Sequence, residues 1–216
     1  MNTGGLMNVI IIGAGGHARV VHEILMHDNN MDVVAFVDNK QTSGEKIMGT
    51  SVLGGHSVIP LLIKDGVQGA IIAIGDNVLR ANRFVEMDDF GLVVINAVHP
   101  TAHIAYNARI GNGVVIATGA TLATGVEIGD NVVINTGATI EHENIIKDHV
   151  HVAPGSILAG RVIVEEGSFI GAGSVVKEGI TIGKNVTIGA GSVVLEDIVD
   201  NAVAVGAPAK IIKIKN

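Results

Sequence analysis

From Val98 to Val194, every sixth residue of this chain is an isoleucine, leucine or valine, seventeen times without a break. These three types make up about a third of the chain, so such a run has a chance probability on the order of one in a hundred million, and the period is real. A second column supports it. The residue four places after each aliphatic is nearly always small or β-branched, from Ala102 and Ala108 through Val132 and Ala138 to Ser156, Ser168 and Ser174, with Asn144 and Ile180 as the departures. One inward aliphatic and one inward small residue per hexad describe a short strand and a corner. Three hexads then close a triangular coil, and coils stack at strand spacing, about 4.8 Å. Glycines fall just after the aliphatic (Gly111, Gly129, Gly171, Gly183, Gly189) or three after it (Gly113, Gly119, Gly125, Gly137, Gly155, Gly167, Gly173), where they suit tight corners at which a side chain would cost strain. The expected fold of residues 96–216 is a left-handed parallel β-helix of hexapeptide repeats with a short C-terminal tail.

Residues 1–95 read differently. Asn8 to Ile12 is an apolar run ending in Gly13-Ala14-Gly15-Gly16-His17-Ala18, followed by a helical pattern through Val20, Val21, Ile24 and Leu25. Strand, glycine turn and helix form the signature of a nucleotide-binding β-α unit. Further strands are expected at Met31 to Val37, closing on Asp38-Asn39, at Gly69 to Ile74, closing on Gly75-Asp76-Asn77, and at Leu92 to Ile95, with a helix from about Val78 to Asp89. The result is a small Rossmann-like α/β domain whose parallel sheet would place a ligand at the carboxyl ends of its strands. The turn fits G-x-G-x-x-A with Asp38 downstream, a pattern also used for NAD, but the domain is too short for two mononucleotide halves. A mononucleotide such as that of a sugar nucleotide fits better, beside the plain alternative of a glycine turn that serves strand–helix packing alone.

Composition narrows the partners. The absence of cysteine excludes disulfides and zinc–thiolate sites, and a net charge of −7 with no basic run before Lys210, Lys213 and Lys215 argues against nucleic acid. Those three lysines read as a solvated tail. No apolar run approaches twenty residues and no signal-peptide pattern opens the chain, so a cytoplasmic protein without membrane insertion is expected. Met1 to Leu6 carries no assigned role.

A regular coil is a scaffold, so its chemistry must come from departures. The clearest is Ile140-Glu141-His142-Glu143-Asn144-Ile145, where two carboxylates flank a histidine among hexads that hold mostly glycine, alanine, threonine and asparagine. An imidazole beside a carboxylate is a general base, because the carboxylate fixes the tautomer and stabilises the imidazolium. The bland alternative is a surface histidine in an acidic patch. His149-Val150-His151 follows, two histidines at strand spacing that would share a face; nine residues from His142 to His151 is half a coil, so these two lie on different sides of one prism and would meet only across a subunit interface. No metal is expected. His22, His27, His56, His99 and His103 read as surface or capping residues.

The glycine turn, Phe36-Val37-Asp38-Asn39, Ala73-Ile74-Gly75-Asp76-Asn77, the Glu-His-Glu hexad and the ending Val205-Gly206-Ala207-Pro208-Ala209-Lys210 together resemble the bacterial sugar acyltransferases of the PglD/NeuD type. The resemblance covers nearly the whole chain. It implies an acetyl-CoA-dependent N-acetyltransferase acting on a nucleotide-linked 4-amino-4,6-dideoxy sugar, assembled as a homotrimer with its acetyl-CoA groove between neighbouring β-helices. It further implies that His142 is the general base, that Glu143 raises its basicity, and that Gly15, Gly16, His17, Asp38, Asn39 and Gly75 hold the sugar nucleotide. His151 would meet acetyl-CoA near its thioester, and Ala172 and Ala190 would line the pantetheine groove. The separation of that last pair, one full coil, independently stacks them at equivalent corners. The competing functional readings are an O-acetyltransferase of sialic acid type and a non-catalytic β-helix.

Overall fold

The computed structural model describes residues 6–39 and 44–215, and the chain divides into two compact units between Val98 and His99. Residues 1–5 of the opening segment lie outside the described residues.

The first unit starts with β1 (Met7–Ile12), α1 (Gly16–Leu25) and β2 (Met31–Val37). A hairpin of β3 (Lys46–Ile47) and β4 (Thr50–Ser51), a 3-10 turn at His56–Val58 and α2 (Ile59–Lys64) lead to β5 (Gly69–Ile72), α3 (Asn77–Asp89) and β6 (Val93–Val94). The sheet is fully parallel in the order β2-β1-β5-β6. Val9 to Ile12 and Gly69 to Ile72 are buried throughout, as strands covered on both faces require, and Ile10, Ile12, Val37, Ile72 and Met87 share one apolar core. Because β2 and β5 lie on opposite sides of β1, the connections leave in opposite directions and a crevice opens outside the carboxyl ends of β1 and β5. Several boundaries differ from expectation: the first strand begins at Met7 rather than Asn8 and the last is only Val93–Val94 rather than Leu92 to Ile95. The third main strand stops at Ile72 rather than Ile74, and α3 begins at Asn77 because the Asp76 carboxylate accepts the Leu79 N–H (2.8 Å), the usual N-cap device.

The second unit is a parallel β-solenoid. Its strands are two residues long and pair with residues eighteen positions on: Thr121, Thr139, Ile157, Val175 and Val193 stand in one register, Ile145, Ile163 and Thr181 in another, and Val115, Val133, His151, Phe169 and Thr187 in the third. The aliphatic column from Leu122 to Val194 is at most 5% exposed and forms one continuous core. Polar members of the small column are satisfied between coils: the Ser156, Ser168 and Ser174 hydroxyls donate to the carbonyls of Gly171, Gly183 and Gly189 (2.6–2.9 Å). Ala202–Val205 adds a last parallel strand, against which Lys210–Ile214 turns back antiparallel. The terminal lysines are solvent-exposed as expected at Lys210 and Lys213, but they are not a loose tail: these two sit on this strand, and Lys215 Nζ donates to the Asn185 carbonyl (2.6 Å).

The two glycine columns exist for different reasons. Gly173, like its equivalents, has a left-handed φ (+67°), and open space surrounds a would-be Cβ there, whereas Gly171 has ordinary φ but a Cβ there would press on the backbone of Ile188, Gly189 and Ala190 in the next coil. Gly173→Ala is expected to cost about 1 kcal/mol through backbone strain alone. Gly171→Ala is expected to cost about 3 kcal/mol, because a whole coil must shift. Thermal or urea melts of the two variants check the difference, and equal losses would refute the two-cause account.

Candidate active site

The crevice of the first unit is a cleft of about 520 Å³ whose lining includes all six residues expected to hold a nucleotide: Gly15, Gly16, His17, Asp38, Asn39 and Gly75. Their roles separate on inspection. Gly13, also at the cleft, is demanded by the fold, with φ +108° and a would-be Cβ 2.8 Å from the Ala73 carbonyl. Gly15, Gly16 and Gly75 are not: their φ values lie outside the left-handed region and nothing lies within 4 Å of an added Cβ. Glycine at those three positions leaves space in the cleft itself, where the first amides of α1 open without a side-chain cap. Asp38 does part of its work internally, since its Oδ2 accepts the Ala14 N–H (2.9 Å) and so pins the glycine turn to the end of β2. Asn39 is exposed at the rim and is accommodated by Gly55, where any side chain would overlap its carboxamide.

His17 is held neutral. Burial, followed by the charge of Arg80, lowers its pKa to about 4. Arg80 is itself 1% exposed, its Nη1 donating to Asn77 Oδ1 (2.9 Å) and the Ile74 carbonyl (3.3 Å). Two further cleft residues carry no periodic signature in the sequence. His56 and Arg83 both line the cleft and both donate to Glu86 Oε2, at 3.0 and 2.6 Å. Burial raises the pKa of Glu86, but the hydrogen bonds and charges of Arg83 and His56 outweigh it and the net shift is downward.

In the second unit the departure hexad forms a corner between two faces of the solenoid. His142 Nδ1–H donates to Glu143 Oε2 (3.2 Å), which leaves Nε2 as the basic nitrogen. The ring has room because the position one coil on is Gly160, where a Cβ would overlap the imidazole. Asn144 is fully buried and ties the corner from within, its Nδ2 donating to the carbonyls of Glu141 (2.6 Å) and Ala159 (2.9 Å). Arg161, one coil on from Glu143, sits 3.8 Å from the same Oε2 and pairs with Glu178. Gly160 and Arg161 escaped the sequence reading, although the eighteen-residue offset from His142 and Glu143 marks both.

Residues 8–87 match the PglD N-terminal domain, residues 107–142 the bacterial transferase hexapeptide family and residues 161–196 the hexapeptide repeat of succinyl-transferase. A His-to-Asn variant of perosamine N-acetyltransferase from Caulobacter crescentus, solved with CoA and GDP-perosamine, is 39% identical with 97% of each chain covered and a TM-score of 0.91. The acetyltransferase domain of PglB from Neisseria gonorrhoeae FA1090, solved with acetyl coenzyme A, is 32% identical over 96% of this chain and 100% of that one, TM-score 0.91. The chain belongs to the PglD/NeuD-type sugar acyltransferase family. UDP-N-acetylbacillosamine N-acetyltransferase of Bacillus subtilis (strain 168) is 38% identical over 117 residues, so the match spans about half (51%) of that curated relative.

Within this PglD/NeuD-type chain the remaining expectations divide. His151 lies on the outer side of a strand, 7% exposed, its Nε2 accepting from Asn135 Nδ2 (3.2 Å) and its ring edge-on to Phe169. That face is the one opposite the His142 corner, so one solenoid does not bring the two histidines together. His149 and His151 do not share a strand face: His149 occupies a left-handed corner (φ 62°) and meets Asn131 (2.9 Å), because the strand begins only at His151. Ala172 and Ala190 stack on exposed corners of successive coils, the Gly191 N–H donating to the Ala172 carbonyl. Among the histidines expected at the surface or as caps, His99 is buried at 8% exposure beside Thr101, and two more depart from that role. His22 is a core residue, 2% exposed and stacked on Phe36, and His56 faces the cleft.

The depressed pKa of His17 makes stability pH-dependent in a defined window. The unfolded chain takes up a proton near pH 6.5 whereas the folded chain resists until about 4, so stability present above pH 6.5 is lost as pH falls toward 4, by up to about 3 kcal/mol. Urea melts of the wild type and His17→Asn between pH 7.5 and 4.5 check this, the variant having the flatter acid limb.

Proposed function

We propose that this chain transfers the acetyl group of acetyl-CoA to the amine of a nucleotide-linked 4-amino-4,6-dideoxy sugar, with His142 as general base and the cleft of the first unit holding the nucleotide. The observation that carries the reading is the His142–Glu143 pair facing Gly160 at a solenoid corner. The relatives support the substrate class: one acts on perosamine and was solved with CoA and GDP-perosamine, another is named for UDP-N-acetylbacillosamine.

The chemistry follows from the groups. A sugar amine attacks a thioester only when neutral, and it sheds a proton as the C–N bond forms. Nε2 of His142 takes that proton while Glu143, on Nδ1–H, steadies the imidazolium. The carbon–sulfur bond breaks as the tetrahedral intermediate collapses, and the proton passes to the departing thiolate, giving free CoA without an acyl-enzyme. Backbone amides or His151 would stabilise the oxyanion. Because His142 and His151 occupy opposite sides of one solenoid, a site using both lies between two copies of the chain, consistent with a homotrimer in which Ala172 and Ala190 flank the pantetheine arm. The reaction belongs in the cytoplasm, where acetyl-CoA is available.

Release of free thiol from acetyl-CoA, followed with UDP-, dTDP- and GDP-linked 4-amino sugars beside the sugar without its nucleotide and sialic acid, tests the reading. One nucleotide-linked amine is expected to react with far the highest kcat/KM, and His142→Ala to lower its turnover about a hundredfold to ten-thousandfold with the fold intact. Comparable rates with sialic acid, or indifference to the nucleotide, would promote the O-acetyltransferase reading.

Glu143 provides a separate test because it holds a left-handed corner (φ 59°) that glycine fills at most equivalent positions. Glu143→Gly is expected to stabilise the fold by about 1 kcal/mol and yet lower turnover at least tenfold through loss of the carboxylate. A gain in melting temperature with unchanged turnover would remove Glu143 from the mechanism.

A further inference from the structure

Arg83 is the only lysine or arginine among the described residues lining the cleft, and this has a consequence for nucleotide recognition. A nucleoside diphosphate brings two or more negative charges. The α1 amides at Gly15 and Gly16 offer hydrogen bonds and a partial charge, but they supply no full countercharge. His17 cannot supply one either, because burial and Arg80 keep it neutral near physiological pH. Asp38 contributes charge of the wrong sign and already accepts a backbone N–H. Arg83 remains, and it is presented rather than left to wander: Nη1 is fixed on Glu86 Oε2 at 2.6 Å, and His56 Nδ1 is fixed on the same oxygen at 3.0 Å. Side-chain exposures of 27% for Arg83, 30% for Glu86 and 14% for His56 place the cluster half out of water, where charge-assisted bonds outweigh those of a fully exposed pair. One guanidinium nitrogen on the carboxylate leaves the rest of the planar fork to face a ligand, the geometry suited to two phosphate oxygens.

We infer that Arg83, anchored by Glu86 and flanked by His56, is the cation that binds the diphosphate of the nucleotide-linked substrate in this cleft. The inference rests on the sugar-nucleotide reading above, and it assigns to a residue outside the glycine turn the discrimination between nucleoside and nucleoside diphosphate.

The test is equilibrium binding, by calorimetry, of GDP, UDP and dTDP and of guanosine, uridine and thymidine to the full chain, its Arg83→Met and Arg83→Lys variants included. Wild type is expected to bind one of the diphosphates much more tightly than the matching nucleoside. Arg83→Met should lose about ten- to a hundredfold in affinity for that diphosphate, the range for a charge-assisted contact, with less than a threefold change for the nucleoside; Arg83→Lys should fall between, and the salt dependence of diphosphate binding should weaken in the Met variant. Unchanged melting temperatures without ligand establish that the variants are folded. Equal losses for nucleoside and diphosphate would reassign Arg83 to the base or to cleft shape, and an unchanged diphosphate affinity would overturn the inference while leaving the nucleotide reading in place. Failure of the wild type to bind any of the three diphosphates would sink both.

Discussion

Coil-on-coil backbone pairing is the constraint on which the second unit depends. Each two-residue strand donates to and accepts from strands one coil away, as in Thr121 N–H to the Ala138 carbonyl and Thr139 N–H to the Ser156 carbonyl, both 2.9 Å. Repeated on three faces, this ladder converts a sequence offset of eighteen into direct contact in space. Every corner residue therefore has a fixed neighbour above and below, and Thr124, His142, Gly160 and Glu178 form one such stack. The ladder is indifferent to outward side chains, which is why a few of them can be given over to chemistry while the buried aliphatic column keeps the fold.

The first unit reaches the same outcome by different physics. Its cleft exists because the strand order reverses at β1, and the elements that border it are short loops whose backbone is set by a few close contacts. Gly13 is a glycine because its φ is left-handed and the Ala73 carbonyl occupies the space a side chain would need. Gly15, Gly16 and Gly75 have no such duty, and the space they leave open at the cleft wall is compatible with the close approach of a ligand proposed above. Sorting glycines by what an added Cβ would meet thus separates those the fold requires from those it does not.

This separation also explains what could be read from the sequence. Both fold classes were legible, the solenoid from its period of six and the α/β unit from strand–glycine–helix order, because those patterns are local. The six cleft residues and the His142–Glu143 pair were legible for the same reason: each sits at a strand end or in one hexad. His56, Arg83 and Glu86 were not. They are joined only by tertiary packing of a 3-10 turn against α3, and no periodicity links residues some thirty positions apart in an α/β unit. His22 was misjudged on similar grounds, since its partner Phe36 lies on the neighbouring strand. Gly160 was missed for a subtler reason. Its signal is the absence of a side chain, and absence stands out only once the ring it accommodates has been placed.

The corners carry a further sign of what selection has tolerated. Left-handed φ is expensive for residues with a Cβ, by about 1–2 kcal/mol in most cases, and least so for asparagine. Most solenoid corners meet the requirement with glycine, and Asn131, Asn185 and Asn201 are the mildest substitutes. The non-glycine, non-asparagine corners are Glu143, His149 and Arg161. Two of these three flank the His142 ring, in its own coil and in the next, and neither gains burial that would offset the strain: Glu143 is 61% exposed and Arg161 59%. Surface ion pairs of this kind contribute little stability, so the corner is less stable than glycine would make it. Strain without structural return at two corners around one imidazole fits the proposed role of His142 as general base.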